Sequence, residues 1–170
     1  MFRGYGLSLQ GQWDEGIPAL QRGIMISLMV GAKGYLAGAY DMLADSCARA
    51  GRIDEGLEAV AQGLALLEET GERGDEADLY INRGLLLLKR DDSQTVEIET
   101  CFCKAISIAQ SQNAKWWELR ATMSLARLLA KQNRRDKARA MLAEIYNWFT
   151  EGFDTADLKD AKALLDELKG

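Results

Sequence analysis

The apolar residues of this chain recur at three- and four-residue steps, and stretches rich in glycine, asparagine or aspartate separate one periodic segment from the next. This spacing is typical of amphipathic helices. In one segment the inward stripe is Leu57, Val60, Ala61, Leu64 and Leu67. The whole pattern predicts an all-α chain whose helices cover about 2–10, 13–29, 33–50, 53–70, 74–90, 94–112, 115–132, 135–150 and 155–169. For the last of these helices we expect Asp154 as the N-cap, with Phe153 and Leu158 as a hydrophobic staple.

The helices belong to an internal repeat. Residues 11–23 align with residues 51–63 at an offset of 40 with six identical positions, and a more degraded copy begins at Asn133. Gly11, Gly51 and Asn133 fall where a helix should end, and glycine or asparagine tolerates the left-handed backbone of such an end. Small residues also recur in the second helix of each pair, and we expect them where two helices approach closely. They are Gly16, Gly56, Ala138, Gly23, Gly63 and Ala105.

The spacing of these small residues resembles that of the tetratricopeptide repeat (TPR) family. Ala44, Gly51, Gly56, Val60 and Gly63 fill the family pattern in the second copy, although the period is 40 instead of about 34. The resemblance implies one domain over 1–170, an α-α superhelix of about four helix pairs with a C-terminal capping helix. Its repeats would cover about 1–30, 33–70, 74–112 and 115–150, with the closing helix at about 155–169.

A narrower similarity is to the C-terminal TPR region of bacterial class III adenylate or guanylate cyclases that are fused to a signalling ATPase module. Residues 50–57, 69–73, 99–109, 146–158 and 161–165 carry it. This resemblance implies a regulatory repeat region of a signalling protein. It implies no active site, because the cyclase and nucleotide-binding domains of such proteins lie upstream of the repeats.

Composition narrows the function classes. The net charge of −5 disfavours nucleic acid and anionic membranes as partners. No apolar run reaches the roughly 20 residues of a transmembrane helix, and no secretory signal is recognisable, so we expect a cytoplasmic protein. Histidine is absent, which removes the commonest general base and metal ligand. The three cysteines, Cys47, Cys101 and Cys103, are interpreted as buried small hydrophobic residues. We therefore expect no enzyme, no cofactor and no metal.

A binding groove is expected along the first helices of the repeats. Its candidate residues are Tyr5, Asp41, Asp45, Arg49, Asp78, Lys89, Arg120, Arg127 and Lys131. The early half is acidic and the late half basic, which would suit an extended peptide of opposite charge order, or an acidic ligand held near Arg120, Arg127 and Lys131. The alternative, which we favour on sequence alone, is a solvated charged face.

Two further surfaces stay open at this stage. Phe2, Tyr5 and Leu9 are candidates for self-association, because a solenoid end without a polar cap leaves an apolar face exposed. Of the adjacent Trp116 and Trp117, one should be core and the other is either core or a partner contact. The sequence thus predicts a non-catalytic protein–protein interaction or scaffold module. A regulatory domain that senses a ligand or peptide in the groove is the alternative.

Overall fold

The computed structural model describes residues 1–169, which form nine helices and contain no strand. The helices are α1 (Phe2–Leu9), α2 (Trp13–Met29), α3 (Leu36–Ala50), α4 (Ile53–Thr70), α5 (Glu76–Arg90), α6 (Thr95–Ser111), α7 (Lys115–Lys131), α8 (Arg135–Tyr146) and α9 (Ala156–Glu167). The all-α prediction is confirmed, and most of the predicted helix ends fall within two residues of the observed ones.

The predicted turn residues have the expected backbone conformation. Gly11, Gly51 and Asn133 have φ angles of 80°, 75° and 61°, in the left-handed region that ends a helix. Gly71 and Asn113 end α4 and α6 in the same way, with φ angles of 74° and 54°. Residues that tolerate a positive φ therefore mark five of the helix ends.

The chain divides into two compact units, Met1–Gln94 and Thr95–Gly170. In the N-terminal unit, α3 is central and packs against α1, α2, α4 and α5. The largest fully buried side chains there come from all helices except α1, and they are Ile17, Leu20, Leu36, Leu67, Leu79 and Leu86. The first helices of successive repeats, α1, α3 and α5, therefore lie side by side.

Small residues permit neighbouring helices to approach closely, as the sequence predicted. A Cβ atom added at Gly16 would lie 2.8 Å from the Gly4 carbonyl oxygen, and one added at Gly4 would lie 2.9 Å from the Gly16 carbonyl oxygen. At Gly63 the added atom would lie 2.9 Å from Leu79 Cδ2. Backbone cannot yield as a side chain can, so the α1–α2 crossing depends on glycine most strongly.

In the C-terminal unit, α7 packs against α6, α8 and α9, and α8 also contacts α9. The largest fully buried side chains of its core are Ile98, Phe102, Leu119, Leu125, Leu129 and Leu142. The predicted repeat over 74–112 has its two helices in different units, so the repeat pairing there, like the single domain over 1–170, stays a prediction.

Several local predictions are wrong, and two of them concern the start of α9. The N-cap of α9 is Thr155, not Asp154, and Thr155 Oγ1 donates to the Gly152 carbonyl oxygen at 2.7 Å. Phe153 is 46% exposed and its ring packs against Tyr146 with a centroid separation of 5.8 Å, where Leu158 was the expected partner.

The other corrections concern helix ends and burial. Helix α3 begins at Leu36, three residues later than predicted, because Tyr35 has a φ angle of 66° that no helix can contain. Helix α8 ends at Tyr146 instead of at about 150, since the chain turns before the aromatic segment 148–153. Ala61 of the predicted inward stripe is exposed, and so is Cys103, whereas the other two cysteines are buried as expected.

Candidate functional site

The candidate residues of the N-terminal unit lie on what we call the first-helix face, the shared surface of α1, α3 and α5. Three side-chain hydrogen bonds cross it: Tyr5 Oη to Asp45 Oδ2 (3.0 Å), Asn82 Nδ2 to Asp41 Oδ1 (2.8 Å) and Lys89 Nζ to the Ala48 carbonyl oxygen (2.6 Å). The partners are 40 or 41 residues apart, which agrees within one residue with the 40-residue offset of the sequence repeat. Equivalent positions of successive first helices are therefore in direct contact.

Carboxylates accumulate on this face. The pKa of Asp41 is raised from its usual 3.8 to about 8 by burial and by nearby Asp78, Asp45 and Asp75, while the hydrogen bond from Asn82 opposes the rise. The pKa of Asp75 is also raised, by burial and by Glu72. Negative charges are thus close enough to repel one another, and a cation brought to this face would relieve that repulsion.

Asp45 is the carboxylate that the chain itself neutralises. It accepts hydrogen bonds from Tyr5 and, at 2.8 Å, from Arg49 Nε. Burial, together with Asp45, raises the pKa of Tyr5 to about 12. Tyr5, Asp45 and Arg49, three of the predicted groove residues, are therefore connected by hydrogen bonds. The side chain of Arg49 remains 52% exposed.

A perturbed carboxyl such as Asp41 is one sign of a catalytic site, and here the surroundings argue against that interpretation. The hydrogen-bond partner of Asp41 is the amide of Asn82, and Asp41 lies outside the cavities of the molecule that are lined by Trp116, by Met25 and by Phe2. Residues 1–169 contain no group of three or more histidine, cysteine or acidic side chains that could hold a metal ion.

The basic candidates lie on α7 in the C-terminal unit, and their surroundings differ. Arg120 Nε donates to Asp157 Oδ2 of α9 at 2.9 Å, and its guanidinium lies 5.0 Å from the Trp117 ring centroid. Arg127 is exposed, and so is Lys131. Arg120 is therefore partly engaged within its own unit, and a single groove that joins the acidic and basic halves stays a prediction.

Aromatic residues line a cavity of about 500 Å³ beside Arg120. Trp116 is 40% exposed and its ring lies 4.9 Å from that of Phe149, while Trp117 is partly buried under Arg120. Trp148 is 55% exposed. Trp116 is therefore the more exposed of the adjacent pair, which the sequence left undecided.

The three self-association candidates differ in their exposure. Phe2 and Leu9 are 75% and 53% exposed, whereas Tyr5 points towards Asp45 and is partly buried. Phe2 also lines a cavity of about 540 Å³ together with Tyr35 and Met42. Of the three candidates, only Phe2 and Leu9 thus offer substantial apolar surface to a partner.

Sequence reasoning missed a group of exposed apolar residues at the end of α2 and directly after it. Met25, Ile26, Leu28, Met29 and Val30 are all exposed. The signal was present, because the segment Ile24-Met-Ile-Ser-Leu-Met-Val30 contains more apolar residues than a single inward stripe requires. Within residues 1–169, no helix is both long and apolar enough to cross a membrane.

Comparison with known proteins identifies the fold. No protein-family model and no curated protein sequence matches this chain. Among solved structures, it is similar to a kinesin light chain-like protein of Podosopora anserina with nearly identical TPR-like repeats. That match has a TM-score of 0.71 and 14% identity, and it covers 97% of this chain and 81% of the other. A single-substitution variant of the same protein matches with a TM-score of 0.73 at the same identity and coverage. The chain therefore has the all-α fold of TPR-like repeat proteins.

Proposed function

We propose that this chain is a non-catalytic protein-interaction module and that its N-terminal unit binds a basic, extended peptide segment of a partner protein. The TPR-like fold supports the general class, since such repeats present their first helices to partners. In keeping with the resemblance of the sequence, the module would serve as a regulatory repeat region of a bacterial cyclase- or ATPase-type signalling protein in the cytoplasm.

The observation that carries the proposal is the carboxylate group on the first-helix face. Asp41 has a raised pKa because it is buried near three other carboxylates, and Asn82 holds it in place. Lysine or arginine side chains of a bound segment would form charge-assisted hydrogen bonds there and remove the mutual repulsion. Because the face is formed by rigid helices, little ordering free energy is lost on binding.

The test is a titration, at about pH 9 so that Asp41 is ionised, of a fluorescein-labelled peptide of alternating lysine and glycine, followed by fluorescence anisotropy. We expect saturable binding that weakens by about tenfold as salt rises from about 50 to about 300 mM, because exposed ion pairs are screened. The double variant Asp41→Asn, Asp78→Asn should lose most of the affinity. Equal binding by this variant, or binding indifferent to salt, would contradict the proposal.

A second candidate function is ligand sensing by the C-terminal unit, which the aromatic cavity favours. Two of its tryptophans are part-exposed at one opening, and indole rings stack well on planar ligands. Fluorescence of a Trp13→Phe variant, whose remaining tryptophans all line this cavity, reports binding directly. A screen of planar aromatic acids that leaves this fluorescence unchanged would remove the candidate.

We also propose that a homodimer forms through the N-terminal end. Phe2 and Leu9 are the exposed apolar residues of α1, and burying each should stabilise the contact by about 1–2 kcal/mol. Light scattering behind size-exclusion chromatography should give a dimer for the parent and a folded monomer for Phe2→Asp, Leu9→Asp. A parent that is monomeric at high concentration would refute the dimer without affecting the peptide proposal.

A further inference from the structure

We infer that a second interaction surface, separate from the first-helix face, takes a basic amphipathic helix of a partner protein. It is a groove of about 460 Å³ that runs between α2 and α4, and we call it the α2–α4 groove. The inference rests on the proposed function as a protein-interaction module, but it uses none of the residues that carry that proposal.

The floor of the α2–α4 groove is apolar. It is formed by Ile24, Met25, Leu28, Tyr40 and Leu43. Met25 and Leu28 are 54% and 45% exposed, so their contacts are incomplete in the chain alone. Methionine adapts its shape readily, which makes it common on surfaces that accept helices of varied sequence. Residues 26, 29 and 30 of the same segment are also apolar and exposed.

The rim of the groove is acidic. Asp54, Glu55 and Glu58 of α4 line it, and no basic residue does. Arg52 neutralises Glu55 with two hydrogen bonds of 2.5 and 2.6 Å, whereas Glu58 accepts a hydrogen bond from the neutral amide of Gln62. Within residues 1–169, Asp54 takes part in no ion pair. Among the described residues, Asp54 and Glu58 therefore have no cationic side chain paired with them next to an apolar floor, and the matching surface is apolar with flanking lysine or arginine.

The dimensions suit a helix. On α2 the lining runs from Gln21 to Leu28 and on α4 from Asp54 to Gln62, which corresponds to about 10–12 Å at about 1.5 Å per residue. Two turns of a partner's helix laid in the α2–α4 groove have that length, and its apolar side chains at steps of three and four residues would reach the floor of the groove. An extended peptide would place only alternate side chains in the groove and would leave its own backbone groups unpaired there.

The chain's own basic helix does not fit the groove. Arg135, Lys137 and Arg139 of α8 are exposed, but its apolar face, which includes Ala138 and Leu142, is buried in the C-terminal unit. A second copy therefore offers the positive charge without the apolar anchors. The occupant that matches both properties is a helix of another protein.

The test uses two fluorescein-labelled peptides of leucine and lysine, about five helical turns long, with identical composition. In one the leucines form a stripe on one helix face, and in the other they are scattered. We expect saturable one-to-one binding of the striped peptide by anisotropy, and at least about tenfold weaker binding of the scattered one. Asp54→Asn, Glu58→Gln should weaken the striped peptide about tenfold, and Met25→Gln, Leu28→Gln should do the same.

The chain offers a matched control. Asp14→Asn, Glu15→Gln makes the same change of charge at the start of α2, outside the groove, and should leave the affinity unchanged. Far-ultraviolet circular dichroism shows whether each variant is folded; the exposed groove residues predict that all are.

Three results would overturn the inference. They are equal binding of the two peptides, insensitivity to the Asp54 and Glu58 changes, and a parent dimer that Met25→Gln, Leu28→Gln dissociates in sedimentation. The last result would assign the surface to a second copy. The double variant Asp41→Asn, Asp78→Asn separates the two proposals, because it should abolish binding of the extended peptide and leave the striped peptide bound.

Discussion

Replacement of Asp41 by asparagine should make the chain more stable at neutral and alkaline pH. Asparagine has nearly the shape of aspartate, and its side-chain oxygen can still accept the 2.8 Å hydrogen bond from Asn82 Nδ2. The substitution removes only the charge that burial and three nearby carboxylates oppose. Stability should therefore change through electrostatics, with packing left intact.

The magnitude follows from the pKa. In the folded chain the pKa of Asp41 is about 8 against 3.8 for the free side chain, so the folded state binds more protons than the unfolded state between these values. Stability of the parent should fall as pH rises through this window, and the loss is complete once the pH is above the folded-state pKa. A shift of about four units sets a ceiling of about 5–6 kcal/mol. Because the residue keeps part of its surface exposed, we expect about 2 kcal/mol.

Urea unfolding followed by circular dichroism, at pH values from about 4 to about 9, measures the effect. The two proteins should be equally stable near pH 4, and Asp41→Asn should be the more stable by about 2 kcal/mol near pH 9. Asp45→Asn is the informative contrast, because it weakens the bonds from Tyr5 and Arg49 and should destabilise by about 1 kcal/mol. Parallel pH curves for the parent and Asp41→Asn would refute the account of the carboxylates.

Three further predictions concern the fold. In urea unfolding, Gly16→Ala should destabilise the chain by about 2–3 kcal/mol, because the added Cβ would meet the Gly4 backbone. Gly6→Ala should stabilise the chain by about 0.5–1 kcal/mol, because its added Cβ would lie more than 4 Å from neighbouring atoms. Tyr35→Asn should raise the melting temperature by a few degrees, since asparagine tolerates the φ angle of 66° better and the tyrosine is 86% exposed; an unchanged or lower temperature would contradict this. In the native chain one thiol, Cys103, should react with a thiol reagent, and after unfolding all three cysteines should react. The reaction of Cys103 should be slow near neutral pH, because burial and Glu99 raise the pKa of its thiol.

The helices and turns could be predicted because they depend on local chemistry. Gly11, Gly51 and Asn133 end helices through their own backbone preferences, and the apolar period sets which face is buried. Gly16 could be predicted as a close approach because the repeat aligned it with a second glycine 40 residues later. The left-handed backbone conformation of Tyr35 could not be predicted, since no feature of the neighbouring sequence indicates it.

The candidate site was predictable only in part. The repeat offset placed Asp41, Asp45 and Tyr5 on neighbouring first helices, and the structure brings them together. That Arg49 pairs with Asp45 while Asp41 lies close to Asp78 and Asp75 depends on side-chain packing, which the sequence does not encode locally. The α2–α4 groove was missed because periodicity identifies the buried face of a helix and says nothing of apolar residues on its other faces.

The most direct test of the central claim is selection from a random peptide library displayed on phage, with the immobilised chain as target. If the chain is a module for basic segments, the enriched peptides will be rich in lysine and arginine. Those with scattered charges should then lose binding to Asp41→Asn, Asp78→Asn. Enrichment of acidic or uncharged peptides, or no enrichment over an uncoated surface, would contradict the claim.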